Sequence, residues 1–195
     1  VWTFTVIEDQ PPIILSLNEA ERGVNGELRY PFKASDDYGI VSAYVDITLD
    51  LAAVDRRFGL ALEPEPRETI QLDLPMPFNG DRTAFSEVLI ENLSPHPWAT
   101  LPVSVSLTAM DAGANIGTDA PNHIILPGRR FFDTLAASLV DQRRDLLWNR
   151  ENGTRVGQVL RAISYRPNDV FRSETAYLKL RHVIRRLELM LDYGQ

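Results

Sequence analysis

The chain has 195 residues, 44% of them hydrophobic and 24% charged, with no cysteine and three histidines. That length can bury its own core, and the composition excludes a disordered or fibrous chain, disulfides, thiolate metal centres and a thiol nucleophile. The formal net charge of −7 argues against a general nucleic-acid binder, which needs a dense basic face. It is unevenly spread. Residues 1–127 hold 7 Lys and Arg against 19 Asp and Glu, a net of −12, whereas residues 128–195 hold 13 against 8, a net of +5.

From 1 to 127 the apolar period is close to two and the punctuation is Gly, Pro, Asn and Asp, which predicts short antiparallel strands. Trp2, Phe4 and Val6 alternate with threonines before the break at Pro11-Pro12. Apolar residues 13–17 follow, and after a turn at 23–26 come Leu28, Tyr30, Phe32 and Ala34. Asp36-Asp37-Tyr38-Gly39 has turn chemistry. It leads into a strand over 41–51 with Ala43, Val45, Ile47 and Leu49 on one face. Residues 63–66 and 75–81 are predicted loops, and 69–74, 84–90, 103–109 and 123–126 are predicted strands, with a hairpin turn at 111–115. Seven or so strands at this spacing point to a β-sandwich.

Beyond Pro127 the period becomes helical. Phe132, Leu135, Ala136, Leu139, Val140 and Leu147 mark a first helix with Gly153 as its stop. A second is expected from Thr154 as N-cap to Pro167, with Val156, Val159, Leu160 and Ile163 inward. A third starts at Ser173 and places Tyr177, Leu180, Ile184, Leu187 and Leu191 on one stripe. The expected fold class is therefore α+β, with an immunoglobulin-like antiparallel β-sandwich followed by a small helical domain of about three helices. The expected parts are 1–10 as the end of a preceding module or an edge strand, 11–127 as the sandwich and 128–195 as the helical domain.

The turn at 36–40 with its alternating strand, and Ala109-Met110-Asp111-Ala112-Gly113-Ala114-Asn115, resemble bacterial immunoglobulin-like and fibronectin-like modules, in which a Pro-Pro step commonly opens the next module. At a second level, residues 30–51, His96-Pro97-Trp98-Ala99-Thr100-Leu101-Pro102, Leu126-Pro127-Gly128-Arg129-Arg130-Phe131 and Leu139-Val140-Asp141-Gln142-Arg143-Arg144, in that order, resemble a family of long alphaproteobacterial proteins known only as a domain of unknown function. The resemblance implies transmembrane helices near the parent's N-terminus, a Gln/Gly-rich tail and a soluble region on the periplasmic side of the inner membrane. It implies no reaction. The sequence contains no run of 18 apolar residues and no signal-peptide pattern, and it starts at Val1, so we expect a fragment whose targeting information lies upstream.

Several constellations are candidates for chemistry. Asp9, Asp36, Asp37 and Asp111 lie at turns and are weak candidates for calcium, which takes six to eight hard oxygens; plain turn chemistry is the favoured alternative. Asp36 with Asp37 and Glu63 with Glu65 are carboxylate pairs, but neighbours in a turn point apart, and a glycosidase needs two carboxyl groups spaced across a cleft. His96, His123 and His182 have no metal-ligand spacing, and no serine sits in a nucleophile motif. Trp98 is expected as an apolar plug rather than a ligand platform. The helical part carries Arg143, Arg144, Arg150, Arg155, Arg161, Arg181, Arg185 and Arg186, expected to pair with the acidic β region or a protein partner rather than anionic lipid. Arg143, Arg144, Arg181, Arg185 and Trp98 are the interaction candidates. The chain reads as a non-enzymatic structural and protein-interaction region of a membrane-anchored envelope protein, with no catalytic residue, cofactor or nucleic-acid partner. A carbohydrate- or peptidoglycan-binding module, stacking sugars on Trp2, Tyr38 or Trp98, is the alternative.

Overall fold

The computed structural model describes residues 2, 8–17, 19–78, 80–165 and 171–193. The fold combines two antiparallel sheets with helices and divides into two compact units, Val1–Val54 with Glu68–Arg129, and Asp55–Arg67 with Arg130–Gln195. The segment at 1–10 read as the end of a preceding module falls largely outside the described residues.

In the first unit, one sheet joins β1 (Ile13–Ser16), β2 (Glu21–Arg22), β3 (Leu28–Ser35) and β6 (Ala84–Glu91); β1, β2 and β6 all pair with β3. The other joins β4 (Ile40–Leu49), β5 (Ile70–Asp73), β7 (Pro102–Asp111), β8 (Ile116–Thr118) and β9 (Asn122–Ile125), with β4 between β5 and β7. Period-two patterning sets which face is buried. On β3, Leu28, Tyr30, Phe32 and Ala34 all point inward, and on β4 so do Ile40, Ala43, Val45 and Ile47. Side chains of both sheets share a single core, to which Trp98 and Leu126 also belong. Complete burial of an aliphatic or aromatic side chain there contributes roughly 1.5–3 kcal/mol. The turn between β3 and β4 is closed by the Asp36 carboxylate, which accepts from the amides of Tyr38 at 3.0 Å and Gly39 at 2.7 Å. Gly39 has φ of 104°, a conformation that disfavours residues with a Cβ.

In the second unit, α1 (Thr134–Trp148) is capped by Asp133, whose carboxylate accepts from the Ala136 amide at 3.0 Å. A 3-10 turn at Arg150–Asn152 leads into α2 (Gly153–Ile163), and α3 (Glu174–Tyr193) follows. Two expected boundaries differ. The first helix ends at Trp148, where Asn149 turns extended, rather than at Gly153, and Gly153 instead opens α2 ahead of Thr154. Gly153 has ordinary helical angles, φ −53° and ψ −45°, so here it starts a helix instead of stopping one. Pro167 lies outside the described residues. Val156 and Leu160 of α2 pack with Leu180 and Ile184 of α3 to form this unit's core.

The excursion between β4 and β5 belongs to the helical unit. It is tied to the end of α1 by a series of hydrogen bonds. Trp148 Nε1 donates to the Leu62 carbonyl at 2.7 Å, Asn149 Nδ2 to that of Glu63 at 2.9 Å, and Asn152 Nδ2 to that of Gly59 at 2.7 Å. Arg150 pairs with Glu65 at 2.9 Å, and the Glu65 amide donates to the Trp148 carbonyl. A division at Pro127 alone would place these residues with the sheets.

Candidate functional site

Three features gather side chains with chemistry, and each lies within one unit. The first is the acidic turn cluster. The hairpin between β7 and β8 and the turn between β3 and β4 bring Asp9, Asp36, Asp37 and Asp111 within electrostatic reach. Asn115 holds part of the group together, its Nδ2 donating to Asp9 at 3.0 Å and to Asp111 at 2.8 Å. Asp9 is pushed above the ordinary carboxylate value by removal from water and then by the charges of Asp111, Asp37 and Asp36. Among the described residues no group of three or more His, Asp or Glu side chains is arranged to hold a metal ion. The turn chemistry is visible in Asp36 and in Asp111, which accepts from the Asn115 amide at 2.8 Å.

The second feature is the outward face of the first sheet. Ile14, the inward residues of β3 and Leu89 are buried, and the alternate positions expose apolar side chains: Ile13, Leu15 and Leu17 next to β3, and Val88 and Ile90 on β6. The register sets Val88 beside Pro31 and Leu15 beside Lys33. Among the described residues β6 pairs only with β3, which leaves its other edge without a strand. Arg29 and Lys33 of β3 are exposed between these two groups, on either side of Pro31.

The third is a groove of about 520 Å³ between α2 and α3, lined by Arg161, Arg181, His182, Ile184, Arg185 and Glu188. The helices are held at this distance by the core pair Leu160 and Leu180 and by Ile184, which is buried. Arg161 Nε donates to Glu188 at 2.6 Å, and this contact holds the arginine further into its charged form. Among the described residues the side chains of Arg181, His182 and Arg185 make no ion pair or hydrogen bond.

Of the other sequence candidates, Arg144 is drawn inward, with Asp141 and Asp145 each at 3.5 Å. Arg143 is exposed and also has a contact. Trp98 is 6% exposed and edge-on to His96 at 4.9 Å between ring centres, so it offers no stacking surface, whereas Trp2 and Tyr38 are open to solvent. Glu63 and Glu65 engage Arg56 and Arg150. His123 sits 2.8 Å from Asp50. The sequence does not single out Glu188, an ordinary charged residue on the flank of the α3 stripe.

No helix among the described residues is long and apolar enough to cross a membrane. Fold and surface together define a two-unit α+β chain whose distinctive features are a sheet face with exposed apolar side chains beside an open edge and a cationic helix groove. The chain belongs to the family described as a domain of unknown function (DUF4175), whose model matches residues 1–193. No curated protein sequence matches it.

Proposed function

We propose that this chain is a non-enzymatic structural and protein-interaction region, on the periplasmic side of the inner membrane, of a membrane-anchored protein, and that its first unit is an immunoglobulin-like sandwich. The shared core between two antiparallel sheets supports the sandwich reading. The observation that carries the interaction reading is the outward face of the first sheet, where Val88 and Ile90 stand exposed on a strand with an open edge. Such an edge offers main-chain hydrogen bonds to an added strand, and the apolar side chains offer contact area.

A photo-crosslinking residue at position 90 of the full-length protein in cells tests it, with position 71 on the second sheet as the control. Protein adducts at 90 and not at 71 are the expected result. Absence of protein adducts at 90 together with retention on purified peptidoglycan would overturn it and favour a sugar-binding module using Tyr38 or Trp2.

A further inference from the structure

We propose that the groove between α2 and α3 is a binding site for a phosphate-bearing anion, independent of the sheet surface. Its charge count comes first. Three guanidinium groups, Arg161, Arg181 and Arg185, face the single lining carboxylate of Glu188, and Asp192 also acts on Arg161, so the groove keeps a net positive charge. Glu188 does not cancel the free cations, because its carboxylate is engaged by Arg161 through Nε, and no hydrogen bond from the terminal Nη groups of Arg161 is formed among the described residues.

Arg181 and Arg185 stand one turn apart on α3, a spacing at which like charges disfavour a helix by roughly 0.2–0.5 kcal/mol. That cost is relieved when an anion sits between them. The geometry then selects the class of anion. A lone carboxylate has two oxygens and is satisfied by one planar fork, so it leaves the other guanidinium groups unused. A phosphate monoester carries close to two negative charges and three terminal oxygens, which take more than one fork. The groove volume of about 520 Å³ lies within the ~300–1,000 Å³ common for small-ligand sites, so the organic part of a phosphorylated molecule also fits. The phosphate is either that of a soluble small molecule or that of a lipid headgroup. The site's chemistry is the same for both.

The test uses the full chain. Inorganic phosphate is titrated while the arginine Nε–H NMR signals are followed, and flotation with vesicles of phosphatidylglycerol in phosphatidylcholine, against phosphatidylcholine alone, reports headgroup binding. Shifts confined to Arg161, Arg181 and Arg185 are expected, and the double variant Arg181→Gln/Arg185→Gln is expected to weaken phosphate binding about tenfold or more. Lys179→Gln removes a charge from the same helix outside the groove and is expected to leave binding within about twofold. Both double-variant positions are exposed, and an unchanged helical circular dichroism signal establishes that the fold survives. Phosphate binding without vesicle flotation assigns a soluble ligand; flotation lost in the double variant assigns a headgroup. Absence of groove shifts at tens of millimolar phosphate, equal losses in Lys179→Gln and the double variant, or an acidic peptide shifting these signals where phosphate does not, would each overturn the proposal.

Discussion

The indole Nε1 of Trp148, in the last turn of α1, donates to the carbonyl of Leu62 at 2.7 Å across 86 positions of sequence. Trp148 is buried, and the guanidinium of Arg56, from the same excursion as Leu62, lies 6.0 Å from the centre of its ring. One side chain thus secures a loop that leaves the second sheet after β4 and returns at β5. Trp148→Ala is expected to cost about 3–5 kcal/mol in the helical unit through lost volume and an orphaned carbonyl. Urea unfolding followed by helical circular dichroism measures it. A midpoint equal to the parent's would show that the loop is not held by this residue.

Gly59 is the second anchor of the loop. Its carbonyl accepts from Asn152, and a Cβ built on it would collide with the Asp145 carboxylate where that carboxylate meets Arg155. Asp145 is 4% exposed, so it has no water to turn to if the pair is pushed apart. Gly59→Ala is therefore expected to destabilise the unit by about 1–3 kcal/mol, with Gly157→Ala in the same unit as a control because a Cβ there meets only Leu187 Cδ2, at 3.9 Å. Neither Gly59 nor Gly157 has a positive φ, so the two variants differ in crowding and not in backbone strain. Equal costs at the two sites would dismiss the collision at Gly59.

What was legible in the sequence follows from where periodicity applies. Leu28, Tyr30, Phe32 and Ala34 read as one face of a strand because a two-residue period leaves no other way to bury them, and the structure buries all four. The stripe Tyr177, Leu180, Ile184, Leu187 and Leu191 reads the same way at helical period, and each is buried or half-buried. The loop at 55–67 has no period. It holds three acidic and three basic residues with two prolines, and its place is set by backbone carbonyls meeting Trp148, Asn149 and Asn152, which composition does not announce. Gly153 misled for a related reason, since glycine marks a stop only when the chain needs a positive φ there. For the candidate sites, Arg181 and Arg185 were visible as cations of one helix. Their meeting with Arg161 depends on how α2 packs against α3, which no local pattern encodes.

The α3 stripe gives a direct contrast. Ile184 is 2% exposed among Val156, Leu160 and Leu180, while Leu178, on the same helix, is 57% exposed. Ile184→Ala is expected to cost about 2–5 kcal/mol, and Leu178→Ala to stay within about 0.5 kcal/mol. Thermal melts of the two variants check this. Comparable losses would mean that Leu178 is covered in solution.

Two carboxylates, Asp9 and Glu65, should respond to acidification in opposite directions. Asp9, in the first unit, is held above its ordinary value of 3.8 by removal from water and by the charges of Asp111, Asp37 and Asp36. Its folded state holds the proton more tightly than the unfolded one, so its contribution is fully present below the unfolded value and is lost as pH rises through the raised one. Glu65, in the second unit, is held below its ordinary 4.5 by the hydrogen bonds from the side chain and then the backbone of Arg150. Its contribution is present above the unfolded value and is lost as pH falls through the lowered one. Asp9→Asn is therefore expected to raise the melting temperature at pH 7, where it relieves repulsion, and Glu65→Gln to lower it. Both differences should shrink toward zero once pH drops below the carboxylate range, roughly pH 3. Melting curves of the parent and both variants at pH 7, 5 and 3 test this, with the Asp9 carboxyl followed by carbon NMR to place its titration. Differences of the same sign, or differences that persist unchanged at pH 3, would show that crowding at Asp9 and the Arg150 contact at Glu65 are not what sets the pH response.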